Sequence, residues 1–149
     1  MSVITLKDID RAADRIRGVA IRTPLVDVSH QAGRRLWLKC ENLQVAGAFK
    51  IRGAYNKIAG LVPDELQHGV ITYSSGNHAQ AVAYAARAIG VSAVVVMPNT
   101  ASTVKVEGAR AYGAEVLFEG TTSAERQTRA EDEAACRGLT MIPPFDDPT

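Results

Sequence analysis

Val70-Ile71-Thr72-Tyr73-Ser74-Ser75-Gly76-Asn77-His78-Ala79-Gln80-Ala81-Val82-Ala83-Tyr84-Ala85-Ala86-Arg87-Ala88-Ile89-Gly90 is the stretch that decides the fold. It opens with a short apolar strand, turns at a glycine, and continues as an alanine-rich helix over 79–89 that stops at Gly90. The same grammar repeats outward. Ala93-Val94-Val95-Val96-Met97 is an unbroken apolar run closed by Pro98, as expected of a parallel strand buried on both faces. Ala101 to Tyr112 reads as a helix with Ala101, Gly108 and Ala111 on a small-residue stripe suited to close packing on a sheet, and Gly113 ends it. Glu115–Phe118 is a further strand. Thr122 with Glu125 opens a polar helix through Cys136, Gly138 caps it, and Leu139–Ile142 is the next strand. Strands and helices alternating over short connections predict an α/β fold: an open parallel sheet with helices on both faces. Residues 67–145 form that unit.

Upstream, the pattern is less regular. Residues 5–18 predict an amphipathic helix, with Thr5 and Asp8 as a capping box and Ile9, Ala12, Ala13 and Ile16 at helical spacing. Arg22-Thr23-Pro24-Leu25 reads as an extended turn, since Pro24 biases Thr23 away from helix. Leu36, Leu38 and Cys40 alternate with Trp37, Lys39 and Glu41, which predicts a half-buried strand. Then comes Val45-Ala46-Gly47-Ala48-Phe49-Lys50-Ile51-Arg52-Gly53-Ala54, a turn at Gly47 leading into a helix that ends at Gly60. Lys50 falls at the start of that helix. An amine there stands at the positive end of the helix dipole beside the Phe49 ring, a setting that disfavours the ammonium. A neutral lysine forms Schiff bases with carbonyl compounds. Without further context, Lys50 also reads as an ordinary surface lysine.

A second stretch, Ser74-Ser75-Gly76-Asn77-His78, sits between a strand and a helix, where unpaired N–H groups make an anion site. Ser75 or Asn77 could equally be a simple helix cap there. Taken together and in order, Ala48-Phe49-Lys50-Ile51-Arg52-Gly53-Ala54 and Ser74-Ser75-Gly76-Asn77-His78 resemble the two motifs of the fold type II pyridoxal-phosphate (PLP) enzymes, in particular the serine/threonine dehydratase (threonine ammonia-lyase) and serine racemase family. The resemblance runs along nearly the whole chain.

That resemblance implies PLP held covalently on Lys50, with Phe49 beside the ring and Asn77 meeting its phenolic oxygen. It implies a substrate carboxylate clamped by Ser74, Ser75, Gly76, Asn77 and His78. The implied reaction is deamination of L-threonine or L-serine to a 2-oxo acid and ammonia, through an aldimine at Lys50 and β-elimination. Lys50 is the implied general base. Ser75 matches the acid of serine racemases, so racemisation is the alternative outcome. His78 has no partner motif that would make it a base. Two departures stand out: Ala46-Gly47-Ala48 replaces the usual Thr-Gly-Ser, and Val45 stands where nucleotide-activated racemases carry lysine. The family's phosphate-binding glycine loop and its divalent-cation ligands would fall after Thr149. The chain therefore reads as a fragment. Residues 1–66 would be an incomplete part of the large PLP-binding domain, 67–145 the small α/β domain, and 146–149 the start of the return linker. A non-catalytic α/β fragment or pseudoenzyme is the remaining alternative. A dinucleotide-binding domain is disfavoured, because no Gly-x-Gly-x-x-Gly follows a strand.

Composition bounds the partners. Hydrophobic residues make up 46% of the chain, charged residues 22%, and the net charge is +1, which leaves no basic footprint for nucleic acid. No apolar run approaches membrane-spanning length, and Met1-Ser2-Val3-Ile4 does not read as a signal peptide. Cys40 and Cys136 form neither a disulfide framework nor a metal motif, so no metal site is expected and a cytoplasmic setting is. A small amino-acid substrate and a homo-oligomer are what the family implies.

Overall fold

The computed structural model describes residues 4–145. The extreme N-terminus read above and the linker assigned to 146–149 lie outside the described residues, apart from Ile4. Helix α1 (Leu6–Arg15) starts at Thr5, whose side chain and that of Asp8 close the expected capping box. It ends three residues before Gly18, and none of its residues is buried. β1 (Leu25–Asp27) and β2 (Trp37–Lys39) pair antiparallel around the short helix α2 (Ser29–Ala32). Both strands are exposed along their length, so the half-buried strand expected near Leu36 is shorter and lies open on both faces. The alternation there marks a pleat but not a core face. β1 was expected only as an extended turn.

The expected sheet is present. β3 (Val70–Tyr73), α5 (Asn77–Ile89), β4 (Ala93–Met97), α6 (Thr103–Ala111), β5 (Glu115–Phe118), α7 (Ser123–Arg137) and β6 (Thr140–Met141) follow α3 (Lys50–Ile58) and α4 (Pro63–Leu66). The four strands are parallel in the order β5-β4-β3-β6. β3 and β4 are buried at every position, which is why both read as continuous apolar runs. Residues alternate between two cores. Val70, Val95 and Met97 pack with Ile51, Ala54 and Ile58 of α3 and with the alanines of α5. Ile71, Tyr73, Val94 and Val96 pack on the other face with Ala130 of α7. Helix α3 thus shares one core with the sheet, and that fixes where Lys50 stands.

The turn before Lys50 carries backbone strain. Ala46 adopts φ 58° and ψ 15°, a left-handed conformation that costs a Cβ-bearing residue about 1–2 kcal/mol. Gly47 follows at φ 70°. Ala46→Gly is expected to stabilise the fold by about 0.5–1 kcal/mol, the relief being partly offset by a freer unfolded chain. Urea denaturation checks it, and an unchanged or lower midpoint would show that the turn stores no strain.

Candidate active site

The chain leaves β3, builds β4 and β5 to one side, then returns to place β6 on the other. The carboxyl ends of β3 and β6 therefore flank a topological switch point, the crevice where open α/β sheets bind ligands. The loop after β3 is Ser74–Gly76, and the segment after β6 is Ile142–Phe145. Lys50 arrives at this crevice from α3.

Several contacts hold Lys50 there. Arg52 Nε and Nη2 fork onto Glu41 Oε2 and Oε1 at 2.9 and 2.8 Å, and Nη2 also donates to the Ile21 carbonyl. Thr23, 3% exposed, donates its hydroxyl to the same carboxylate. The Arg52 guanidinium, assisted by Thr23, holds the Glu41 carboxyl down at about 2. The Thr-Pro-Leu phrase thus anchors the start of α3. Lys50 itself is half-buried. Its Nζ donates to the Pro144 carbonyl at 2.6 Å and lies 5.5 Å from the centre of the Phe49 ring. Phe49 is 58% exposed and takes no part in the core.

The Ser-Ser-Gly-Asn-His loop meets Lys50 in one cleft of about 440 Å³, lined by Lys50, Ser74–His78, Lys105, Pro144 and Phe145. Helix α5 begins two residues earlier than expected, so Asn77 and His78 belong to its first turn. The N-cap is Gly76, and no side chain caps the helix; Ser74 Oγ instead accepts from the Gly76 N–H at 3.2 Å. The capping role considered for Ser75 and Asn77 is therefore not the one they play. Their side chains are exposed beside the amino end of a 13-residue helix, and among the described residues no carboxylate lines the cleft. That end suits an anion.

His78 is buried, and its Nε2 lies 3.2 Å from the Ile142 carbonyl. Only a protonated Nε2 can donate to that oxygen, so Nδ1 is the bare nitrogen, buried with no partner among the described residues. Burial pushes the imidazole down to about 4; the Ile142 bond opposes this and the Lys50 charge adds to it. His78 is neutral at pH 7. Its unfolded value is higher, near 6.5, so the unfolded chain binds the extra proton as pH falls. The stability it contributes is complete above pH 6.5 and is lost between 6.5 and 4, by roughly 3 kcal/mol. His78→Gln is expected to flatten that part of the stability–pH curve. Parallel curves for the two proteins would remove the assignment.

All the site residues expected from sequence line this cleft or, for Phe49, the adjoining hollow with Lys50, His78 and Pro144. Three others were not foreseen. The Pro144 carbonyl meets the amine, and Phe145 lines the cleft beside it, edge-on to Tyr73 at 6.5 Å. Lys105 comes from α6. The helix starts at Thr103, two residues later than expected, so Ala101 lies outside it; Lys105 stands one turn before Gly108, and a lysine beside small residues is the signal that could have singled it out.

The residues fit one end of PLP. They offer an amine for its aldehyde and, in Asn77, an amide for its phenolic oxygen. Among the described residues this cleft offers no separate counterpart for its phosphate. Among the described residues no group of three or more His, Cys, Asp and Glu side chains could hold a metal ion, and no helix is long and apolar enough to cross a membrane.

Comparison with known proteins places the chain in a family. Residues 16–149 match the family model described as pyridoxal-phosphate dependent enzyme. The chain is 38% identical over 151 residues to an L-threo-3-hydroxyaspartate ammonia-lyase from a Pseudomonas species, covering 99% of this chain and 47% of that protein. It is 43% identical over 149 residues to an L-threonine ammonia-lyase from Thermotoga maritima, covering 98% of this chain and 37% of that one. The structure of maize serine racemase superposes with a TM-score of 0.92 at 36% identity, over 98% of this chain and 45% of the other. The chain spans less than half the length of these relatives.

Proposed function

The chain belongs to the pyridoxal-phosphate dependent enzymes, and from that premise we propose that it carries the amino-acid end of an ammonia-lyase acting on L-threonine or L-serine. One observation carries the reading. The Lys50 amine and the Ser74–His78 loop, 24 residues away in sequence at its nearest, line a single cleft. When bound, PLP supplies the electron sink for a carbanion at the substrate's α-carbon.

The chain's own residues do the rest. Lys50 would hold the cofactor's aldehyde covalently in place of its bond to the Pro144 carbonyl, and its free amine would take the α-proton. The helix end behind Gly76, with Ser74, Ser75 and Asn77, binds the substrate carboxylate and orients the Cα–H bond towards Lys50. Loss of the β-hydroxyl as water leaves an enamine that hydrolyses to the 2-oxo acid and ammonia. Neutral His78 holds the loop to β6 through Ile142 and keeps a second positive charge away from the amine. Homo-oligomeric assembly belongs to the same proposal and rests on the family resemblance; a cytoplasmic location belongs to it too and rests on the cysteine usage.

A second outcome has its own support. Ser75 is exposed in the same cleft as Lys50. A hydroxyl there could return a proton to the opposite face and yield the D-amino acid. Incubation with PLP and L-serine or L-threonine, with 2-oxo acid and D-enantiomer measured together, separates the two. A protein that forms a Lys50 adduct but makes neither product would defeat both, leaving the non-catalytic reading.

A further inference from the structure

Lys105 belongs to neither motif, yet it lines the cleft. Its Nζ donates to Asn77 Oδ1 at 2.5 Å and stands 3.5 Å from Gln80 Oε1. Its stem lies against Gly76: a Cβ built there would stand 3.5 Å from Lys105 Cγ and Cδ and 3.6 Å from Cε, an ordinary contact that keeps the stem beside the loop. An ammonium has donors only. The Asn77 atom that faces it is therefore the amide oxygen, and the NH2 group is turned away from Lys105. A carboxamide beside a neutral hydroxyl can flip and still find a partner. Beside an ammonium, the flipped amide would set N–H against N–H.

We propose that Lys105 is a positioning residue that locks the orientation of the Asn77 carboxamide, so that Asn77 offers its NH2, and not its oxygen, to a bound ligand. The matching ligand chemistry is an anionic oxygen. With PLP that oxygen is the ring phenolate, and a fixed donor favours the ionised phenolate over the phenol. The identity of this ligand rests on the function proposed above, whereas the orientation of the amide does not.

The test has two arms. The first uses the cofactor-free protein and follows the Asn77 side-chain NH2 pair in a ¹⁵N–¹H spectrum. Lys105→Met keeps the stem against Gly76 but removes the donor, and is expected to move that pair towards the position of a solvent-exposed amide. Lys105→Arg restores a donor and is expected to restore the wild-type position. The second arm adds PLP. Lys105→Met is expected to lower the long-wavelength fraction of the adduct's absorbance, the fraction carrying the ionised oxygen, and to weaken PLP binding roughly ten-fold. Lys105→Arg recovers both, and in an Asn77→Ala background Lys105→Met has no further effect. A purely structural role would lower the melting temperature of Lys105→Met without moving the absorbance ratio. An unmoved Asn77 signal in the first arm overturns the proposal. A wild-type protein that forms no PLP adduct counts against the proposed function, while the first arm still decides the orientation.

Discussion

Lys50→Ala is expected to abolish the PLP adduct that borohydride traps and, with it, amino-acid turnover. The proton-transfer role alone accounts for a loss of about 10²–10⁴-fold in rate, and loss of the covalent attachment adds to it. The measurement is borohydride reduction followed by peptide mapping, with 2-oxo acid release beside it. Lys50→Arg is the sharper control. A guanidinium can still donate to the Pro144 carbonyl and sit over Phe49, but it does not deprotonate and forms no Schiff base. Both variants should therefore lose the adduct, and Lys50→Arg should keep the strap after β6 in place. Neither should unfold, because Lys50 is only half-buried and the core face of α3 is built by Ile51, Ala54 and Ile58. An adduct that survives Lys50→Ala, or one that maps to Lys105, would end the assignment of Lys50.

Gly69→Ala is expected to be the most destabilising small substitution in the sheet, by roughly 2–5 kcal/mol. Gly69 stands at φ 95°, where a Cβ is strained regardless of space. An added Cβ would also stand 2.7 Å from the Ser92 carbonyl oxygen and closer still to its hydroxyl. Ser92 cannot simply retreat: its carbonyl accepts from the Val70 N–H at 2.9 Å, and the Gly69 carbonyl accepts from the Thr140 N–H at 3.0 Å. The clash thus falls where β3, β4 and β6 all begin. Backbone strain costs about 1–2 kcal/mol and overpacking about 1–3. Chemical denaturation reads the sum; a stability within error of wild type would show that the strands can part there without cost.

The expectations that held share a physical basis. β3 and β4 are central strands covered on both faces, so every position is apolar or small, and such runs read unambiguously. Helices α5 and α7 end at glycines in left-handed conformations, Gly90 and Gly138, and α7 begins at the Thr122–Glu125 capping box. Lys50 and the Ser74–His78 loop were legible because each motif is contiguous and its chemistry depends on local backbone, a helix start in both cases. The β1–β2 hairpin was harder to read. Its three-residue strands are exposed on both faces, so side-chain alternation there carries no record of burial.

The amino-acid sequence by itself determined the α/β class, the family, and the places of Lys50 and of the Ser74–His78 loop at two helix starts. Those properties follow from residue spacing within one element or one turn, which the local backbone geometry converts directly into structure. Only the tertiary structure decided that β6 returns beside β3, because strand order depends on the side of the sheet to which a crossover docks. That return brings Pro144 to Lys50 across 94 residues and places the Ile142 carbonyl on His78. The packing of α6 on α5 likewise sets the Lys105 ammonium against Asn77. Contacts between elements far apart in the chain are chosen by how apolar faces pack together, and no local spacing records that choice.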